Sequence, residues 1–301
     1  MARSPQALPA ASQPRAGFAR YALSASVLLW GGAPVATRLL SHRDSAMVLL
    51  GFRFVPAALL VGAFMLFNRR GIDVGNQRWP RAVGLSILGG LGYNGLVTFA
   101  LVVSPATIVG IALTTEPIWI LVLEAFRREK GFSLPLLMGF ALAALGTAAA
   151  TAGSPSLGAS TVLGVCLAVA ATACWALYTV SSSRWETSAT DKTALLVASS
   201  LPLVLAGLLV IGTGNSSWPH GDPAWLAVAT ISIGSTVLAT AGWNYGAQRI
   251  GAKLAAPFLY LQPAATIVLS ALLLGERPSG VELAGLAVIL LGLAISQYQR
   301  A

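Results

Sequence analysis

Ten apolar runs, each about twenty residues long and bounded by charged, proline or glycine-rich positions, occupy almost the whole chain: 19–40, 46–67, 81–103, 105–127, 133–152, 160–182, 193–212, 224–247, 252–274 and 279–298. A helix of this length covers the ~30 Å of a bilayer's hydrocarbon, and an isolated strand there would leave its backbone groups unsatisfied. The alternation of a membrane barrel is absent. The expected fold class is therefore an all-α membrane protein with ten transmembrane helices. Composition agrees, since 56% of the 301 residues are hydrophobic and 10% are charged, where a soluble domain carries about 25%. The polar, Pro-rich residues 1–18 read as a cytoplasmic N-terminal segment without the compact apolar core of a removable signal peptide. Cys166 and Cys174 sit in one apolar run, so neither a disulfide framework nor a metal site is expected.

The formal charge of +9 would suggest nucleic acid as the partner of a soluble protein. Here its distribution matters more. With the N-terminus in the cytoplasm, 15 of the 19 basic residues fall on that side, among them Arg69, Arg70, Arg78 and Arg81, then Arg127, Arg128 and Lys130, then Arg184 and Lys192, then Arg249 and Lys253. Arg38, Arg43 and Arg277 fall outside, and Arg53 lies within a run. By the positive-inside rule both termini are cytoplasmic, in a multi-pass protein of the cell inner membrane with no nucleic-acid partner.

The chain also repeats itself. Trp30 matches Trp175 at an offset of 145, while Glu116-Pro117 matches Gln262-Pro263, Gly139 matches Gly285 and Gly146 matches Gly292, all at 146. This divides it into 19–153 and 154–301, five spans each. An odd number of spans per repeat inverts the second relative to the first, the arrangement with which secondary transporters build two gates around a midplane site.

The motifs Leu29-Trp30-Gly31, Gly51-Phe52-Arg53-Phe54, Thr115-Glu116-Pro117, Gln262-Pro263 and Leu274-Gly275-Glu276-Arg277-Pro278, on ten spans in an inverted five-plus-five repeat, resemble the EamA-type exporters of the drug/metabolite transporter superfamily. The resemblance covers nearly the whole chain and extends to its exporters of aromatic amino acids of the YddG type. It implies a transporter rather than an enzyme. One departure is that Phe126-Arg127-Arg128-Glu129-Lys130 stands where the second half has Leu274-Gly275-Glu276-Arg277-Pro278.

Within the spans, Glu116 needs a reason to be there, because a mid-bilayer carboxylate costs roughly 2.5 to 3.5 kcal/mol on insertion scales. It is either a substrate or proton ligand or one half of a structural pair with Arg53. Its counterpart Gln262 is neutral, so coupling does not need two symmetric carboxylates. Pro117 and Pro263 break a mid-helix bond and are candidate hinges. Trp30, Tyr93, Asn94, Trp119, Trp175, Tyr178, Trp243, Asn244 and Tyr260, with Glu116 and Gln262, form the candidate substrate-binding set. Aromatic walls with a few polar groups suit an amphipathic organic molecule. Trp79, Trp185, Trp218 and Trp225 flank spans and are expected to anchor them at the interfaces. Gly139, Gly146, Gly285 and Gly292 read as helix-packing residues, leaving the fifth and tenth spans peripheral and four spans from each half around the path.

No catalytic constellation or phosphate-binding loop is present, so no cofactor is expected. The expected function is a secondary exporter of small amphipathic metabolites, amino acids including aromatic ones, working as a monomer by alternating access. The rivals are a proton-coupled exporter of varied drugs, and a non-transporting membrane scaffold or intramembrane enzyme.

Overall fold

A computed structural model describes residues 13–41, 45–69, 71–127, 133–154, 156–213, 219 and 221–297. The described residues are helical throughout their ordered elements, without strands. We label the helices α1 (Gln13–Ser41), α2 (Ala46–Phe67), α3 (Trp79–Val103), α4 (Ala106–Arg127), α5 (Leu134–Ala152), α6 (Ala159–Ser182), α7 (Ala189–Ala198 continued as Leu201–Gly212), α8 (Asp222–Ile250), α9 (Ala252–Leu273) and α10 (Gly280–Gln297). They coincide with the apolar runs to within a few residues. Seven, namely α1 to α4, α6, α8 and α9, are long and apolar enough to cross a membrane. The halves of α7, bent by 42°, make an eighth if counted as one span. Within α5 and α10 the apolar stretches Leu137–Ala152 and Gly280–Gly292 are shorter.

The breaks have local causes. Pro202 begins the second half of α7, where Ser199 and Ser200 donate their hydroxyls back to the Leu196 carbonyl. In α4 the helix is interrupted at Thr114 and Thr115, just before Pro117. Their hydroxyls donate to the carbonyls of Ile111 and Ala112, which also accept the Thr114 and Thr115 backbone N–H groups in a tightened turn. Pro257 lies in a 3-10 segment, Ala256–Tyr260, immediately before the part of α9 that carries Pro263. Pro34 and Pro56, by contrast, sit in continuous helix. Two wide, π-helical segments, Leu88–Gly92 in α3 and Thr230–Ala239 in α8, occupy corresponding places in the two halves.

The helices sort their ends onto two faces. On one, Glu124 of α4 pairs with Arg184 after α6 at 3.0 Å, and Thr187 donates to the Asp73 carbonyl in the loop before α3. There the Gln248 amide of α8 also donates to the carbonyls of Trp185 and Thr187. On the other, Arg38 of α1 donates to the Leu101 carbonyl at the end of α3, and Ser279 before α10 donates to the Gly153 carbonyl after α5. There too, Glu276 after α9 accepts from the backbone N–H groups of Ala106 and Thr107 at the start of α4. Hence the start of α1 and the end of α10 lie on the first face.

Packing crosses between the halves. The first-half helix α1 lies against α8 and α9 of the second, while α6 of the second lies against α3 and α4 of the first. Helix α2 packs on α7, and α5 on α10. At the last contact a Cβ on Gly285 would lie 2.5 Å from the Gly146 carbonyl oxygen, and one on Gly292 would lie 2.8 Å from that of Gly139. Backbones this close require glycine.

Trp79 and Trp225 are about half exposed, as interfacial anchors should be, and Trp218 lies outside the described residues. Trp185 corrects the expectation for the flanking tryptophans. It is buried with Val74, Ala82 and Leu195, because the loop before α3 folds over it.

Candidate functional site

Where α1, α3, α6 and α8 meet, aromatic rings converge. Trp30 and Trp175 touch edge to face at 5.1 Å between centroids, and Tyr93 stacks obliquely on Trp175 at 5.2 Å. These three rings wall a cavity with Asn94, Arg53, Ser235, Thr236, Thr240 and Gln262. Seven helices contribute, α1, α2, α3 and α4 from the first half and α6, α8 and α9 from the second. Neither α5 nor α10 supplies a described lining residue, as expected, and neither does α7, which was expected to. The free space is about 20 Å³. That is room for a water and not for an amino acid, so a substrate of that size requires the walls to part.

The widened backbone of α8 organises the polar side. A π-helical turn bonds five residues apart, and here the Thr236 and Thr240 hydroxyls donate to the carbonyls of Ile231 and Ser235. The same carbonyls serve neighbouring helices. The Trp30 indole N–H donates to the Ser235 carbonyl at 3.0 Å, and Arg53 Nε donates to the Ile231 carbonyl at 3.3 Å and the Thr236 hydroxyl at 3.1 Å. Arg53 Nη2 donates to the Ser235 hydroxyl at 2.9 Å. Of the lining hydroxyls, Ser235, Thr236 and Thr240 stand apart from the expected set. Their signal was the run of Ser and Thr in Thr230–Thr240, unusual in a mid-span segment.

Arg53 and Glu116 form no ion pair among the described residues, which corrects the expected structural pair. The hydroxyls and carbonyl of α8 hold the guanidinium, and Glu116 Oε1 is buried without a hydrogen-bond partner. Tyr93 lies within electrostatic reach of both, with the Gln262 amide beside its hydroxyl. The Trp175 indole N–H, on a residue 3% exposed, is likewise buried without a partner.

The expected substrate set thus divides. Trp30, Tyr93, Asn94, Trp175 and Gln262 line the cavity, with Glu116 buried nearby. Tyr178, Trp243 and Asn244 belong instead to the packed core. The Tyr178 hydroxyl donates to Asn244, whose amide donates to Thr193, and the Trp243 indole N–H donates to Thr179. Trp119 turns to a separate apolar crevice among α4, α5 and α6, edge-on to Phe140 at 5.5 Å. The side chain of Tyr260 lies outside the described residues.

The model of the EamA-like transporter family matches this chain twice, at residues 19–152 and 162–298. Among curated proteins, the aromatic amino acid exporter YddG of Ancylobacter novellus is 26% identical over 275 residues, 90% of this chain and 94% of that one. The inner membrane protein YtfF of Escherichia coli is 26% identical over 302 aligned positions, 92% and 93% of the two chains. A solved crystal structure matches with a TM-score of 0.65 at 26% identity, over 92% of this chain and 95% of its own.

Proposed function

From the premise that this chain belongs to the EamA-like transporter family, we propose that it is a secondary exporter of small amphipathic metabolites, amino acids with aromatic side chains included. The observation that carries this reading is the cavity in which the matched tryptophans of the two halves, Trp30 and Trp175, face each other beside Tyr93. In this reading all ten helices cross the membrane as two inverted five-helix repeats, 19–153 and 154–301. The exchange of partners between halves supports it, with α1 on α8 and α9 and α6 on α3 and α4, as does the double match to one family model. Alternating access then rocks these contacts about the cavity, with Pro117 and Pro263 beside the irregular segments that would bend. One chain encloses the path, so the working unit is a monomer in the bilayer. The similarity to a protein named aromatic amino acid exporter supports the substrate class.

Purified protein in liposomes should accumulate radiolabelled phenylalanine or tryptophan and ignore a panel of cationic drugs. The opposite preference overturns the assignment. For orientation, both termini are cytoplasmic, so a single cysteine at Ser156 should react with an impermeant reagent added outside intact cells and one at Asn76 should not, in a background lacking Cys166 and Cys174. Labelling of the Asn76 variant reverses the topology.

A second reading, proton-coupled export of drugs, draws on the buried unmatched Glu116. Glu116→Gln decides between them. As a substrate ligand, the residue's loss should weaken binding about tenfold and preserve the response to a pH gradient. A well-folded variant blind to that gradient but competent in counterflow assigns Glu116 to coupling.

A further inference from the structure

Arginine carries a permanent charge and five N–H donors in a rigid fork. Arg53 is 4% exposed and lies at the cavity wall. Its Nε and one Nη2 hydrogen are used on the Ile231 carbonyl and on the hydroxyls of Thr236 and Ser235. The remaining three N–H bonds have no described acceptor, and the described carboxylates form no ion pair with it. Tying α2 to α8 does not account for the charge, since a neutral glutamine would reach the same kinds of acceptor. A guanidinium kept inside a bilayer protein at a cost of roughly 2.5 to 3.5 kcal/mol points to an anion that is absent from the resting chain. Trp175 lines the same cavity, and its indole N–H is a buried donor without an acceptor.

We propose that Arg53 is the receptor for a carboxylate on the transported molecule, with the Trp175 N–H as an accessory donor. The cavity therefore selects an aromatic or apolar acid, of which an α-amino acid is the zwitterionic case. The proposal rests on the exporter reading above and adds the group that the polar side of the cavity recognises. The guanidinium fork matches what a carboxylate offers, two oxygens with about four lone-pair sites. Glu116, buried with an oxygen that has no hydrogen-bond partner, is the acceptor for the ammonium of a zwitterion. The substrate in this way completes the two half-satisfied charges that do not satisfy each other.

The test is binding to purified protein in nanodiscs by competition against labelled phenylalanine, using phenylalanine, its methyl ester and phenethylamine. The last two keep ring and ammonium but carry no carboxylate. Wild-type protein should bind phenylalanine at least about tenfold more tightly than either, because a site with buried donors rejects a ligand that leaves them unpaired. Arg53→Gln, checked for folding by size-exclusion profile, should bring that ratio close to one. Equal wild-type affinity for all three ligands overturns the carboxylate subsite while leaving the exporter reading standing. If phenylalanine itself does not bind, both fall. Should Arg53→Gln not fold, the wild-type ratio decides alone.

Discussion

Gly285→Leu is expected to leave little folded protein in the membrane, because the backbones of α5 and α10 touch at that point. A Cβ at Gly285 would already lie 2.5 Å from the Gly146 carbonyl oxygen and 2.8 Å from the Ala150 Cβ. Neither backbone carbonyl nor methyl can rotate away, so the leucine must push the helices apart. Overpacking of this kind costs about 1 to 3 kcal/mol and more where the backbone must shift. Since α10 packs chiefly on α5, separation forfeits most of what docks it. Detergent-solubilised variant should show a monodisperse peak several-fold smaller than wild type. Gly280→Leu, at the open start of α10 where a Cβ meets nothing, should give a normal peak. A normal profile for Gly285→Leu would mean that this contact does not hold α10 in place.

Trp175→Ala should reduce transport of aromatic substrates about tenfold per folded molecule, beyond the loss of folded yield that truncating so buried a ring brings. Its ring touches Trp30 and Tyr93 across the cavity, and its N–H has no partner to lose. Ring stacking adds about 0.5 to 1.5 kcal/mol beyond area burial, which at its upper limit is a factor of ten. Tyr178→Ala and Trp185→Ala are the contrast, since both side chains are buried away from the cavity wall and Tyr178 also bonds Asn244. Truncation of such aromatics costs about 3 to 5 kcal/mol, so these variants should lose folded yield before they lose specificity. Specific transport activity per folded molecule, measured for all three, separates the classes. A well-folded Trp175→Ala protein with wild-type aromatic transport would remove the ring from the site.

These contrasts mark where sequence reasoning reached its limit. Apolar length locates the helices, and Pro117, Pro202 and Pro257 fall at or beside breaks, because both signals depend on local chemistry. Pro34 and Pro56, however, sit in continuous helix, and the π-helical segments contain no proline. The glycines seven residues apart foretold close packing by α5 and α10, but not that the two pack on each other. Close approach leaves a compositional trace. Rotation about a helix axis leaves none in a uniformly apolar stretch. Trp175 and Trp243 look equivalent by depth, yet one faces the cavity and the other is sealed in the core. Depth likewise brought Arg53 and Glu116 close enough to pair, while the direction of Arg53 was set by acceptors that the widened turn of α8 offers. Trp185 misled for a different reason, because a loop from elsewhere in the chain covers it.

The two widened segments also bear on a small difference in length between the two halves of the chain. From Trp30 to Glu116 the count is 86 positions (116 − 30), and from Trp175 to Gln262 it is 87 (262 − 175). A π-helical stretch holds one more residue per hydrogen-bonded ring than an α-helical one, and it is longer in α8, ten residues against five in α3. An insertion lodged there leaves the flanking turns facing as before, whereas the same insertion in regular helix would swing everything beyond it by about 100°. The carbonyls of the widened turn are the ones that Trp30 and Arg53 use, so a departure from regular helix forms part of the lining.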